Sequence, residues 1–136
     1  MRWLADAIML DHLSIPVLDI DRAAAFYDAV LSTLGLTRRK QRPGAIGYGP
    51  TSRAAPVFWI LARRSGSSAG PGLGLHISFQ ALDRASVDAF HAAALRAGAH
   101  DQGRPGVRPE YTMPFYGAFV LDLDGYKIEA VCRTEE

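Results

Sequence analysis

The sequence holds a single cysteine, Cys132, and no acidic residue between Asp28 and Asp83. One cysteine excludes an intrachain disulfide framework. Its longest uncharged stretch, Ser65 to Leu82, is rich in glycine and serine rather than continuously apolar, so no membrane-spanning segment is expected. Charge of either sign is also missing in excess: 15 Lys and Arg face 14 Asp and Glu, for a formal net charge of +1. That balance supplies no global field for a nucleic-acid backbone or an anionic membrane, and it points to a small-molecule or protein partner. At the N-terminus Asp6 interrupts what would have to be the apolar region of a signal peptide, so a cytoplasmic setting is expected. What is present is apolar: 49% of 136 residues are hydrophobic, enough for one domain with its own core.

The chain repeats itself. Asp11-His12-Leu13-Ser14-Ile15 reappears as Leu75-His76-Ile77-Ser78-Phe79, a His-apolar-Ser-apolar pattern in both cases. Phe26 follows His12 by 14 residues, and Phe90 follows His76 by the same interval. Glycines then come at Gly35 and Gly98. Self-similarity at a fixed period marks a duplicated structural unit.

Within each unit, Leu10 to Val17 and Leu73 to Phe79 alternate as half-buried strands do, with His12 and His76 off the apolar face. Asp19 or Asp21, and Asp83, stand where helix N-caps belong, and Gly35 and Gly98 where left-handed residues end helices. Phe26, Tyr27, Val30 and Leu34 recur at helical spacing, as do Val87, Phe90, Ala94 and Leu95. Short strands follow at about Thr37–Gln41, Ala45–Tyr48 and Val57–Ala62, then at about His100–Arg104, Tyr116–Leu121 and Lys127–Cys132. Asp124-Gly125 is expected as a two-residue hairpin turn. The expected fold is α+β: two βαβββ units whose cupped mixed sheet carries helices on its outer face. Residues 1–9 read as an N-terminal extension and 10–134 as a single domain. Unit one covers 10–64, a flexible linker 65–72 and unit two 73–134.

The two His-bearing strands and the closing segment Tyr116-Gly-Ala-Phe-Val-Leu-Asp-Leu-Asp-Gly-Tyr-Lys-Ile-Glu129-Ala-Val resemble the vicinal oxygen chelate superfamily over about residues 10–132. That superfamily includes glyoxalase I, extradiol dioxygenases and bleomycin-resistance proteins. The resemblance implies a divalent metal on the open sheet face, held by His12, His76 and Glu129. It also implies a homodimer, in which chains often complete the cleft for each other or exchange units. The residues themselves agree with such a site. Glu110 lies in a loop rich in Pro and Gly, and Glu135 and Glu136 end the chain, so Glu129 alone interrupts an apolar strand. A carboxylate there is costly to bury unless paired or metal-bound. Two imidazoles and a carboxylate suit Fe, Mn, Ni or Zn and leave positions open for a chelating substrate. Each histidine taken singly reads better as a hydrogen-bonded, half-buried residue, and the matched pair with Glu129 reverses that preference.

Glyoxalase I enzymes add a carboxylate from the last strand of the first unit, which here falls near Phe58 to Leu61, where no Asp or Glu exists. A standard four-ligand glyoxalase I is therefore not expected, and three ligands resemble the extradiol dioxygenases. Tyr116 and Tyr111 are candidates to present a phenol to a bound oxyanion. Arg108, in the segment Arg104–Tyr111, is a candidate grip for a substrate carboxylate. Tyr48, Phe58, Trp59 and Phe115 are further candidates to line an apolar cleft. Arg38, Arg39, Lys40 and Arg42 read as a solvated strand edge. Gly66-Ser-Ser-Ala-Gly70 matches a nucleophile-elbow pattern, but no helix is expected after it. Asp122-Leu-Asp124-Gly125 begins like a calcium loop but places Arg133 at the twelfth position. Two functions remain open: a metal-dependent lyase, isomerase or dioxygenase of the glyoxalase/extradiol dioxygenase type that chelates vicinal oxygens of a small substrate, or a non-catalytic antibiotic- or ligand-binding protein of the bleomycin-resistance type.

Overall fold

A computed structural model describes residues 10–63 and 74–135. The expected extension 1–9 and linker 65–72 lie outside the described residues. Unit one runs β1 (Leu13–Val17), α1 (Ile20–Ser32), β2 (Leu36–Arg42), β3 (Ala45–Pro50) and β4 (Phe58–Ala62). Unit two repeats the plan as β5 (His76–Gln80), α2 (Arg84–Arg96), β6 (His100–Val107), β7 (Tyr116–Leu121) and β8 (Lys127–Cys132). Each unit forms a four-stranded sheet, in the orders β1-β4-β3-β2 and β5-β8-β7-β6. The first and last strands of a unit pair in parallel and the other pairs are antiparallel, so both sheets are mixed, as expected.

Local chemistry sets the elements. Asp19 caps α1 by accepting from the Arg22 amide at 3.1 Å, and Asp83 caps α2 through the Ser86 amide at 2.8 Å. Both helices run into glycines of positive φ, Gly35 at 78° and Gly98 at 105°. Phe26, Tyr27, Val30 and Leu31 of α1 and Val87, Phe90 and Ala94 of α2 are buried against the sheets. Each fully buried Phe, Leu or Val contributes roughly 1.5–3 kcal/mol. Leu95, expected on the same stripe, is 40% exposed at the helix margin. One core spans both units. Phe58 meets Phe79 edge-on at 5.3 Å between ring centroids, the Tyr126 hydroxyl donates to the Pro16 carbonyl at 2.8 Å, and the Tyr27 hydroxyl donates to Asp122.

Three boundaries differ from expectation. β1 begins at Leu13, which leaves His12 just outside the strand, and β5 begins at His76. β6 continues to Val107, because register shifts around Gly103 and Gly106 absorb Pro105. The connection between β7 and β8 is not a two-residue turn. Leu121 pairs with Lys127, so Asp122 to Tyr126 all lie in the turn. The buried Asp122 carboxylate holds it, accepting from the amides of Asp124 at 2.9 Å and Tyr126 at 2.8 Å.

Candidate functional site

Alternation along the strands of unit two separates a helix face from an open face. Ile77 and Phe79 of β5, Ala118 and Val120 of β7, and Ile128 and Ala130 of β8 point to the helices and are buried. The other set comprises His76, Phe119, Lys127 and Glu129. In register, Glu129 lies beside Ser78 on one side and Phe119 on the other. Its carboxylate is taken out of water by a small apolar cluster of Phe115, Phe119 and Val131, leaving the residue 3% exposed. One oxygen, Oε1, is hydrogen-bonded to His76 Nε2. The other, Oε2, is buried with no hydrogen-bond partner among the described residues. Gly117 lies beneath: a Cβ there would stand 2.7 Å from the Phe115 ring and 3.5 Å from Oε2. A cavity of about 510 Å³ opens over the pair, lined by His76, Glu129, Phe119, Phe115, Tyr111 and Arg133, with Glu110 and Thr112 at its rim. Tyr111 is 48% exposed and its ring meets Phe115 at a tilt, with 4.9 Å between centroids.

Unit one has its own open-face cavity, about 390 Å³, lined by His12, Ser14, Lys40, Arg42, Pro56 and Trp59. His12 is half exposed, with Nδ1 2.7 Å from Asp11 Oδ2, and Arg53 Nη2 lies 2.6 Å from the other Asp11 oxygen. The His12 hydrogen bond and the Arg53 charge hold the Asp11 carboxyl below its ordinary value. Trp59 faces Ser14 in register as Glu129 faces Ser78, so an indole stands where unit two has its carboxylate. Arg42 lies over that indole at 4.9 Å.

The structure therefore brings His76 and Glu129 together but not His12. Among the described residues no three His, Cys, Asp or Glu side chains are grouped to hold a metal ion. Tyr111 and Phe115 reach the unit-two cavity and Trp59 that of unit one. Arg108 lies over Phe119 at 5.6 Å, and its Nη2 donates to the Arg104 carbonyl at 2.5 Å.

Two expectations are corrected. Tyr116 shares the helix face with Ala118 and Val120, and its hydroxyl donates to Asp88 of α2 at 2.7 Å, which raises the phenol's pKa. Tyr48 is fully buried beneath α1. Its hydroxyl donates to Asp28 at 2.9 Å, and burial, then that carboxylate, pushes the phenol well above its ordinary value. Phe58 is 1% exposed and packs on Tyr27 at 5.1 Å, and it also lines a further cavity of about 340 Å³ shared by residues of both units, with His12, Leu13, Ile77 and Phe79.

Sequence reasoning missed Phe119, Lys127 and Arg133. The even spacing of Lys127, Glu129 and Val131 was the available signal for the second of these. His91, read as a helix-face residue, is buried and its Nε2 lies 2.9 Å from Asp101 Oδ1.

Comparison with known proteins places these features in a family. A family model described as the Glyoxalase/Bleomycin resistance protein/Dioxygenase superfamily matches residues 9–130. The crystal structure of a glyoxalase/bleomycin resistance protein from Albidiferax ferrireducens T118 is similar, with 32% identity and a TM-score of 0.81, over 93% of this chain and 100% of that one. A glyoxalase/bleomycin resistance protein/dioxygenase family enzyme from Burkholderia phytofirmans PsJN shares the fold at 20% identity and a TM-score of 0.68, over 92% of this chain and 98% of that one. So does the fosfomycin resistance protein FosX from Mesorhizobium loti, at 17% identity and a TM-score of 0.64, over 95% of this chain and 96% of that one. A search of curated proteins found no match. With its duplicated βαβββ units and a family match over nearly its whole length, the chain belongs to the glyoxalase/bleomycin resistance protein/dioxygenase superfamily.

Proposed function

We propose that the protein is a metal-dependent enzyme acting on a small substrate with adjacent oxygens, as a lyase, isomerase or dioxygenase. The observation that carries this reading is the Glu129 carboxylate: buried, paired on one oxygen with His76, and unpartnered on the other. An orphaned carboxylate oxygen in an apolar strand carries a desolvation cost that a bound cation would offset. Imidazole nitrogen and carboxylate oxygen are also the donors that Fe, Mn, Ni and Zn accept. His76 and Glu129 would hold the ion, with the partner subunit's His12 as third ligand in a homodimer that joins the two open faces. When bound, the cation supplies Lewis acidity to two substrate oxygens. The chain's own residues supply the remainder. Phe115 and Phe119 keep water from Glu129, Tyr111 offers a phenol at the rim, and Trp59 gives the facing wall an apolar surface without a fourth carboxylate. A cytoplasmic setting completes the reading, and no helix among the described residues is long and apolar enough to cross a membrane.

A second reading is favoured by the aromatic lining of the cavity, where Tyr111, Phe115 and Phe119 would grip an apolar ligand without chemistry. One measurement separates the two: metal content by mass spectrometry on tag-free protein, beside His76→Ala, Glu129→Ala and His12→Ala. The enzyme reading expects one transition-metal ion per site, lost in all three variants, and a dimer by sedimentation. Failure to retain any metal after reconstitution with each ion, with ligand binding that survives a chelator, overturns it in favour of the binder.

A further inference from the structure

Two cations converge on one ring of the open face of unit two. Lys127 Nζ lies 5.1 Å and Arg108 Cζ 5.6 Å from the Phe119 centroid, and that ring is 5.8 Å from the imidazole of His76. In register, Lys127 is the β8 neighbour of His76, so the ammonium stands beside the His76–Glu129 pair on the same face. Both cations are half-buried, and neither has a carboxylate within ion-pair distance among the described residues. Glu129 is engaged with His76, and Glu110 is at the cavity rim with no ion pair of its own among the described residues.

The arginine is held in place. Its amide donates to the Phe115 carbonyl at 2.9 Å and its Nη2 to the Arg104 carbonyl at 2.5 Å. Its guanidinium lies on two glycines of β6. A Cβ at Gly106 would stand 2.9 Å from Nη1 and one at Gly103 3.3 Å from Nη2, and Gly103 has a φ of 155° that favours glycine. Nε and Nη1 have no hydrogen-bond partner among the described residues. Two cations beside one ring, one on each side of β7, repel each other. The ring's quadrupole offsets part of that cost, and an anion reached by both would offset far more.

We infer that Arg108 and Lys127 form an oxyanion subsite beside the His76–Glu129 pair, so that the substrate or ligand is an acid bearing a carboxylate or phosphate-type group. The inference deepens the proposed function and rests on it for the position of the reacting end, while the subsite itself needs no metal. Arg108 contributes a planar fork and Lys127 a mobile point charge, a combination that accepts either planar or tetrahedral anions.

The test titrates chelator-treated full-length protein with sodium phosphate and, separately, sodium acetate, at ionic strength held constant with chloride, and reads backbone amide shifts by NMR. Saturable shifts at Gly103, Gly106, Arg108, Phe119 and Lys127 are expected. Lys127→Met and Arg108→Gln should each weaken binding about tenfold or more. Arg108→Lys, which keeps the charge and so guards against misfolding by Arg108→Gln, should weaken it less. Arg96→Gln, an exposed helix cation elsewhere, should leave it unchanged. Saturation by phosphate alone identifies a phosphoryl-type ligand, and by acetate alone a carboxylate. Shifts that do not saturate, or that ignore both substitutions, overturn the subsite. Mn(II) uptake by electron paramagnetic resonance keeps the two readings apart. Normal uptake with an anion response indifferent to Arg108 and Lys127 sinks the subsite alone. Cation-dependent anion binding in a protein that takes up no metal sinks the metal reading alone.

Discussion

The two units share a backbone plan and differ in what they place on it. At one pair of registered positions, unit one sets Gly47 against Trp59 and unit two sets Phe119 against Glu129. Each pair combines one aromatic with one other residue, but the aromatic has changed strands. In unit one the indole covers the strand that would carry a ligand. In unit two the ring moves one strand over and walls a carboxylate that can act. Their polar anchors differ in the same sense. Asp28 of unit one is about half exposed and shared between Arg38 and Tyr48, whereas Asp122 of unit two is 3% exposed and gathers Tyr27, Asp124 and Tyr126. The shared plan supplies the scaffold, and among the described residues the buried acids and imidazole, Asp122, Glu129 and His91, all lie in unit two.

The largest expected break in this comparison is in stability. Asp122→Ala strands the Tyr27 hydroxyl and two amides in the interior and should cost roughly 3 kcal/mol by urea denaturation. Asp28→Ala, half exposed, should cost about 1 kcal/mol or less. Equal losses would show that burial does not distinguish the two anchors. Next is Trp59→Glu, which gives unit one the carboxylate that unit two already has. In a dimer that joins the open faces it should tighten Mn(II) binding about tenfold through added ligand charge. No change in affinity by equilibrium dialysis would argue against faces joined in that way.

Acidification sharpens the contrast, since the two aspartates titrate in opposite directions. Burial pushes the Asp122 carboxyl up, against the Tyr27 hydroxyl and the two turn amides. Its contribution is therefore full below the ordinary 3.8 and is lost as pH rises through the higher folded value. For Asp28, partial burial is outweighed by the Arg38 guanidinium and the Tyr48 hydroxyl, so its folded pKa is lowered. Stability from Asp28 is present above 3.8 and lost as pH falls through the lower value. Relative to Asp122→Asn, the wild type should gain stability on acidification. Relative to Asp28→Asn it should lose stability, as thermal melts across that range would register. The smallest effect belongs to Tyr116→Phe. Because this phenol serves Asp88 on the helix face, metal and phosphate affinities should change by less than about twofold, an outcome typical of substitutions away from a site.

Much of the fold was legible because its signals are local. The repeated His-apolar-Ser-apolar strands, the Asp19 and Asp83 caps and the glycines after both helices each act within a few residues. Glu129 stood out for a related reason, as a lone acid in an apolar strand. What the sequence hid was register. A two-residue turn at Asp124-Gly125 would have set Val120 opposite Glu129 and carried Tyr116 onto the same face. Instead the five-residue turn held by Asp122 sets Phe119 there, and one residue of slip exchanges the two faces of β7. The same slip hid the convergence of Arg108 and Lys127 on Phe119. The distance of His12 from the pair was hidden as well, since like patterns in two units do not say which strands become neighbours.

The hydroxyls of Tyr27 and Tyr126 cross the seam in opposite directions, each ending on an acceptor that belongs to the other half. Neither tyrosine has such a counterpart at the matching place in its sister unit: Tyr27 corresponds to His91, which pairs within its own half. Neither half therefore completes its own buried hydrogen bonds. A gene cut between Arg63 and Gly74 would yield two fragments, each lacking the acceptor or donor that completes it, and the native protein would return only when both were made together.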